Sequence, residues 1–282
     1  MFRSLLFIPS NNPSMIQNAD IFSADGIIFD LEDSVDISEK DNARNLLMNY
    51  LNEGTNYPSL IVLRINPVET EFFLNDLELL KTQKINYVLL PKADIESLKI
   101  LDRHLSTYEE KYKLDKIKVI VLTETTNSII EIDQIAKHKR VEGILLGAED
   151  LCNELEINRT NEGNEILFAR SKVIYACTAN NIIAIDTPNT SIDNEELLKK
   201  DCLNAKNLGM KAKSAIHPNQ LEIINDIFSP SKDEIDWAIK VIKEKEKNLS
   251  KGAFSVDGKM IDKPLLMKAD KIINKAKLYH LI

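Results

Sequence analysis

Short apolar runs in this chain end, one after another, on residues that can do chemistry. Asn11 and Asn12 follow the run at 5–9, and Asp30, Glu32 and Asp33 close the one at 26–30. Arg64, Lys92, Glu124, the pair Glu149 and Asp150, Asp186, and His217 close the next six. A charged side chain leaving the core where a strand becomes a loop is the ordinary alternative at any one of these positions. A whole ring of carboxylates, two permanent cations and a histidine on one face is another matter, because such groups repel or desolvate one another unless a ligand or metal organises them. Glu124 and Asp150, on neighbouring runs and without a Cys or clustered His beside them, suit a hard divalent cation such as Mg²⁺ that keeps positions open for substrate oxygens. Arg64 has the planar fork that clamps a carboxylate or a developing enolate, and its competing reading is an ion pair with the segment 30–33. His217, in Ile216-His217-Pro218, reads as a structural histidine rather than a base. There is no GxSxG, HExxH, Walker A or Cys/His pairing, so nucleophilic hydrolysis and P-loop chemistry have no support.

Eight elements must position these residues. The runs lie at 5–9, 26–30, 60–66, 87–92, 119–124, 144–150, 182–186 and 213–217, on average about 30 residues apart, the length of a strand, its crossover helix and two loops. Most are continuously apolar, as parallel strands covered on both faces are. Helical spacing fills the gaps, as in Leu74, Leu77, Leu79 and Leu80, or Ile129, Ile132, Ile135 and Ala136. A doubly wound sheet has the same local pattern, but the count of eight and the lack of GxGxxG after the first run favour a TIM-type (β/α)8 barrel. The barrel is expected over 1–228, with a C-terminal helical extension over 229–282. Ser231 to Glu234 is a capping-box signature opening a helix with Ile235, Ala238, Ile239 and Ile242 on one face, and Gly252 is expected to end it. The remainder, 254–282, is too short for a domain and is expected to pack on the barrel or on a neighbouring subunit.

The chain has 282 residues, 44% of them apolar, enough to bury a sizeable core. With 36 basic against 44 acidic residues its net charge is −8, which offers nothing to a nucleic-acid backbone. No apolar run approaches the roughly 20 residues of a membrane span, and the first stops at Pro9, so neither export nor membrane insertion is expected. Cys152, Cys177 and Cys202 show no CxxC spacing and read as buried thiols in a reducing cytoplasm.

Taken in order, the run ends carry a resemblance. They read Leu-Phe-Ile-Pro-Ser-Asn-Asn-Pro (6–13), Phe-Asp-Leu-Glu-Asp-Ser-Val (29–35), Leu-Arg-Ile-Asn (63–66), Leu-Pro-Lys (90–92), Thr-Glu-Thr (123–125) and Gly-Ala-Glu-Asp-Leu (147–151). Further on come Arg-Thr-Asn-Glu-Gly (159–163), Phe-Ala-Arg-Ser (168–171), Ala-Ile-Asp-Thr (184–187), Lys-Ser-Ala-Ile-His-Pro (213–218) and Gly-Lys-Met-Ile-Asp (258–262). This ordered set resembles the citrate lyase β subunits, the citryl-thioester lyases within the larger family of malyl-CoA lyases and related metal-dependent aldolases of the HpcH/HpaI type. The resemblance spans essentially the whole chain.

The resemblance implies a TIM-type barrel with Mg²⁺ held by Glu124 and Asp150, and Arg64 as the substrate-clamping arginine. The expected substrate-binding set is Arg64, Glu124, Asp30 and Glu32. Asp262, otherwise a turn residue before Pro264, matches an aspartate that family members contribute from the C-terminal segment of a neighbouring subunit, so Arg64 and Asp262 are the expected catalytic pair. The implied reaction is cleavage of a (3S)-citryl thioester into an acetyl thioester and oxaloacetate, with Glu32 or a metal-bound water as base. The thioester is carried on an acyl carrier protein or on CoA, and the implied partners are the citrate lyase α and acyl-carrier subunits and further copies of this chain, as a homotrimer or larger. Alternatives are a stand-alone malyl- or citramalyl-CoA lyase or thioesterase, and a non-catalytic scaffold subunit. Ser10, Ser128 and Ala212 stand where relatives often carry glycine, and side chains there are expected to narrow the thioester entrance.

Overall fold

The computed structural model describes residues 2–53, 60–247 and 253–282. Eight parallel strands, β1 Ser4–Pro9, β2 Gly26–Asp30, β3 Leu60–Arg64, β4 Tyr87–Leu90, β5 Lys118–Thr123, β6 Val141–Leu146, β7 Ile183–Asp186 and β8 Ala212–Ala215, close into a barrel in sequence order. Closure is direct, with Leu5 of β1 opposite Gly26 of β2 on one side and Ser214 of β8 on the other. The helices are α1 Pro13–Gln17, α2 Lys40–Asn52, α3 Phe73–Leu77, α4 Ile95–Tyr112, α5 Thr126–Ile135, α6 Ala148–Glu154, α7 Leu167–Asn180, α8 Glu195–Leu208 and α9 Leu221–Phe228. Two others, α10 Lys232–Lys247 and α11 Lys263–Leu278, follow. Among the described residues no helix is long and apolar enough to cross a membrane.

Strand parity decides what each strand offers the site. Leu5, Ile28, Val62, Leu89, Ile120, Leu122, Leu145, Ile185 and Ala212, with Leu60 and Ile183 against them, form one buried cluster to which every strand contributes, the filling of the barrel. Successive side chains on a strand point to opposite faces, so Asp30 shares the inward face with Ile28, and Arg64 shares it with Val62. Continuing the same count past the strand ends brings Glu124 into phase with Leu122, Gly147 with Leu145 and Thr187 with Ile185. Asp186 and Lys213 have the other parity and face the helices. Gly26 is required by this packing, since a Cβ there would stand 2.6 Å from Leu5 Cδ2 and 3.3 Å from the Leu60 carbonyl oxygen.

Local chemistry starts the helices where the barrel needs them. Asp94 and Ser97 form a reciprocal capping box on α4, and Thr125 and Ser128 do the same on α5, so that α5 begins directly after Glu124. Cys152, Cys177 and Cys202 are buried free thiols, and burial pushes the latter two up to about 12, which keeps them protonated.

The chain divides into two compact units, Met1–Asn225 and Asp226–Ile282. In the second, Ser231 and Glu234 cap α10 reciprocally, as their spacing predicts. The expected stop at Gly252 lies outside the described residues. The segment after it is more structured than its length suggests. Strands β9 Phe254–Val256 and β10 Lys259–Ile261 form a hairpin over Asp257 and Gly258, both with positive φ (48° and 76°), the conformation of a two-residue Asp-Gly turn. With α11 they close a core of Ile235, Ala238, Val241, Val256, Ile261, Ala269, Ile272 and Ala276, so that one apolar face of the tail is buried together with α10.

One element differs from its expected bounds in a way that matters. The run at 144–150 is not one strand: β6 spans Val141–Leu146, and Glu149 and Asp150 sit in the first turn of α6. Glycine at position 147 separates the two, and Ala148, Leu151 and Cys152 form the buried face of the helix that follows.

Candidate functional site

The buried centre of the barrel mouth is a guanidinium among carboxylates. Arg64 donates from Nε to Asp30 Oδ1 at 2.7 Å and from Nη2 to Asp30 Oδ2 at 2.6 Å, a two-pronged pair, while Nη1 stands 2.8 Å from Glu32 Oε2 and 3.7 Å from Asp33 Oδ2. The ion pair with the 30–33 segment is therefore formed. Its other face lies over the Phe7 ring, 5.1 Å from the centroid. Burial opposes the charge on Asp30, but the Arg64 guanidinium and the Ser34 hydroxyl outweigh it and hold the carboxyl below its ordinary range. Glu32 is placed differently. Burial pushes it up to about 7, with Asp33 and Asp30 adding repulsion against the pull of Arg64. Its Oε2 is buried, and the Arg64 Nη1 that faces it at 2.8 Å is not aligned for a hydrogen bond.

The 30–33 segment is itself braced from behind. Lys40 Nζ donates to the carbonyls of Leu31 (2.6 Å) and Glu32 (2.7 Å), and Asn66 Nδ2 donates to Leu31 (3.0 Å) and to Asp76 (2.7 Å). Arg44 completes the set at 2.8 Å from Asp76. Carboxylate-bearing loops that must hold one geometry need such support.

Glu124 is the second centre. It is 2% exposed and follows β5, and its Oε1 accepts the Lys92 backbone N–H at 2.7 Å. Lys92 reaches it by adopting a left-handed backbone (φ 46°), a conformation that a non-glycine residue holds at a cost. Lys92 Nζ is 4.0 Å from Glu32 Oε1. On the other side Gly147 leaves room, since a Cβ there would come within 2.6 Å of Glu124 Cβ and 2.9 Å of Oε2. Burial pushes Glu124 up to about 8, against the Lys92 N–H, and the charges of Glu32 and Asp150 add to the rise. Asp150, exposed in the first turn of α6, is thus its electrostatic neighbour.

An acid whose native pKa is raised binds a proton that the unfolded chain has released, so its contribution to stability falls as pH rises from about 4.5 to about 8 and is constant above. In EDTA, wild-type protein and Glu124→Gln are expected to have similar stability near pH 5. Near pH 8.5 the variant is expected to be the more stable, in denaturant titrations at both values. A wild type that is the more stable at the higher pH would contradict the environment assigned to Glu124.

Other residues that the sequence singles out lie elsewhere. Asp186 is not in the mouth: its parity sends it outward, where Arg170 and Lys213 bind it. Glu149 pairs with Arg159 (3.1 Å), Asn12 caps α1, and His217 accepts from Asn219 N–H through Nδ1 at the start of a short 3₁₀ turn. Asp262 is exposed and caps α11, its Oδ1 accepting from Leu265 N–H at 3.2 Å. Ser128 is turned into its capping box and Ala212 is part of the barrel filling. Ser10 is fully buried, with no hydrogen-bond partner for its hydroxyl. Gly147 and Thr187 stand in the segments 147–151 and 184–187 that carry the resemblance, but the sequence assigns them no role, and the Lys92 amide leaves no sequence signal.

The mouth therefore presents oxygen donors without competing soft ligands. Among the described residues no three His, Cys, Asp or Glu side chains converge as a complete ligand set, and Glu124 and Asp150 are two neighbouring hard donors. A buried carboxylate whose lone negative charge is disfavoured, next to a second carboxylate, is a fit for a divalent cation that retains water and substrate oxygens as its other ligands.

The profile of the HpcH/HpaI aldolase/citrate lyase family matches residues 3–218. Citrate lyase subunit beta of Haemophilus influenzae is 36% identical over 283 residues, covering 98% of this chain and 97% of the relative. A (3S)-malyl-CoA thioesterase of Cereibacter sphaeroides is 31% identical, covering 98% and 95%. Among solved structures, protein CitE from Mycobacterium tuberculosis in complex with magnesium, acetoacetate and coenzyme A superposes with a TM-score of 0.78 at 28% identity, covering 98% of each chain.

Proposed function

Because the chain belongs to the HpcH/HpaI aldolase/citrate lyase family, we propose that it is a Mg²⁺-dependent carbon–carbon lyase that cleaves a (3S)-citryl thioester to an acetyl thioester and oxaloacetate. The observation that carries this reading is the pairing of two differently tuned centres in one mouth. Arg64 is fixed by Asp30, and Glu124 is held between the Lys92 amide and the space left by Gly147. Glu124 and Asp150 would hold the metal, which when bound would supply Lewis-acid stabilisation of negative charge on substrate oxygen.

The chain's own groups account for the proton and charge movements. The hydroxyl on the carbon that becomes the ketone must lose its proton as the carbon–carbon bond breaks, and Glu32, pushed up to about 7, is matched to accept one near neutral pH. The electron pair of that bond passes to the acetyl thioester as an enolate. Arg64, permanently cationic and oriented by its two bonds to Asp30, neutralises the enolate oxygen. The enolate carbon is then protonated by Asp262 of a neighbouring copy, which makes a homo-oligomer the active form; its exposure on the second unit suits that role. The carrier is the prosthetic group of an acyl carrier protein or free CoA, the partners are the α and acyl-carrier subunits of a citrate lyase complex, and the compartment is the cytoplasm.

The test is release of oxaloacetate from citryl-CoA by the purified chain. Release with Mg²⁺, lost in EDTA and in Asp262→Ala, is the expected result. A second reading, a lyase or thioesterase for malyl- or citramalyl-CoA, is favoured by the 31% identity to the (3S)-malyl-CoA thioesterase. Those two thioesters therefore belong in the same assay. Faster turnover of either would replace citryl thioester as the substrate, and inertness of all three with CoA and with carrier-protein thioesters would remove the lyase reading.

A further inference from the structure

Behind the mouth lies a charge cluster that the reaction does not use. Asp186 receives Arg170 Nε at 2.8 Å and Nη2 at 2.9 Å, and Arg170 Nη2 also reaches Asp201 at 2.6 Å. Lys213, fully buried, spends all three of its donors on Asp186 (2.6 Å), Asp201 (2.7 Å) and the Thr187 carbonyl (2.7 Å). Two cations and two carboxylates balance, linking α7, α8, β7 and β8. Buried ion clusters are an inefficient way to stabilise a fold, so what this one holds in place is the question it raises.

What it holds is the backbone on both sides of Thr187. The Thr187 carbonyl is fixed by Lys213, and the Asp186 carbonyl accepts from Ser214 Oγ at 3.0 Å. With both carbonyls fixed, the Thr187 side chain keeps the inward parity of β7, and its Oγ1 accepts the Ala148 N–H at 3.2 Å. That N–H is the first of α6, a donor without a partner inside the helix, and the N-cap residue Gly147 has no side chain to satisfy it. The helix is thus capped from another strand. Its first turn carries Asp150, and Gly147 is the residue packed on Glu124.

We propose that Thr187 is a positioning residue for the divalent-cation site: its hydroxyl, anchored by the Lys213–Asp186–Asp201–Arg170 cluster, sets the start of α6 and so the place of Asp150 beside Glu124. The proposal rests on the reading of Asp150 as a metal ligand. It predicts that Thr187→Val, which keeps the branched shape and loses the acceptor, weakens Mg²⁺ binding by roughly 10- to 100-fold, the range seen when partners of metal ligands are removed. Thr187→Ser, which keeps the hydroxyl, should restore wild-type affinity.

The experiment is calorimetric Mg²⁺ titration of the full chain, wild type, Thr187→Val, Thr187→Ser and Asp150→Asn, with melting temperatures in EDTA. Weakened binding in Thr187→Val and Asp150→Asn together with recovery in Thr187→Ser is the expected result. Wild-type affinity in Thr187→Val beside a weakened Asp150→Asn overturns the positioning role and leaves the metal assignment standing. Wild-type affinity in Asp150→Asn overturns the metal assignment, and the proposal with it. If Thr187→Val also melts early, Thr187→Ser decides: affinity lost there as well means that the hydroxyl is not what positions the helix.

Discussion

Arg64→Lys is expected to lower kcat by roughly 10²- to 10³-fold, the cost of losing one pre-oriented donor to a developing oxyanion. It should leave Mg²⁺ affinity nearly unchanged. The reason is geometric rather than electrostatic, since the charge is retained. Arg64 engages both oxygens of Asp30 with two N–H groups in one plane and still presents Nη1 toward Glu32. An ammonium on a shorter stem has no fork, so it cannot grip Asp30 and face the mouth at once. Glu32 is the second loser. The Arg64 charge is what opposes burial and the repulsion of Asp33 and Asp30, and moving it away raises Glu32 further above about 7. The acid limb of the pH–rate profile should therefore shift upward in Arg64→Lys. Steady-state kinetics across pH with saturating Mg²⁺ and a melting curve check this, and wild-type kcat in the variant would remove Arg64 from the chemistry.

The barrel and its mouth were largely legible in the sequence, for a physical reason that also explains the exceptions. Eight apolar runs at one period specify eight covered strands, and the polar residue closing each run lies near the mouth whatever the loop details. Arg64, Asp30 and Glu124 reach the site because they share parity with Val62, Ile28 and Leu122. Asp186 looked equivalent and is not, because it follows Ile185 directly and so faces the helices; counting by twos from Ile183 would have pointed to Thr187. The start of α6 was hidden because Gly147-Ala148 extends the apolar run of β6 without a polar cap to mark the change. Its cap, the Thr187 hydroxyl, is 39 residues away along the chain and leaves no local pattern. Arg44 and Asp76 were missed likewise, since nothing local marks either as buried until tertiary contacts join them to Asn66, the end of the run at 60–66.

Lys213→Met is expected to destabilise the fold by about 3–5 kcal/mol, the range for removing one partner of a buried ion pair. By the usual scaling this lowers Tm by on the order of 10 °C. Methionine fills nearly the same volume, so the loss is electrostatic: Asp186 and Asp201 remain buried with Arg170 alone of the two cations of the cluster, and the Thr187 carbonyl loses this donor. The pH dependence follows from Asp201. Burial opposes its charge, but Lys213 and Arg170 hold its carboxyl far below the ordinary range, so its stabilising contribution is present above its unfolded pKa and is lost as pH falls toward the depressed native value. Without Lys213 that depression shrinks, the carboxyl takes up a proton at higher pH than in the wild type, and the deficit of the variant should narrow as the solution is acidified below about pH 4. Pairing Lys213→Met with Asp201→Asn restores the charge balance and should recover part of the loss, a coupling that a double-mutant cycle in denaturant measures directly. A deficit that is constant with pH and strictly additive with Asp201→Asn would mean that Lys213 acts by filling space, and that the peptide at Thr187 is held by the strand ladder rather than by this cluster.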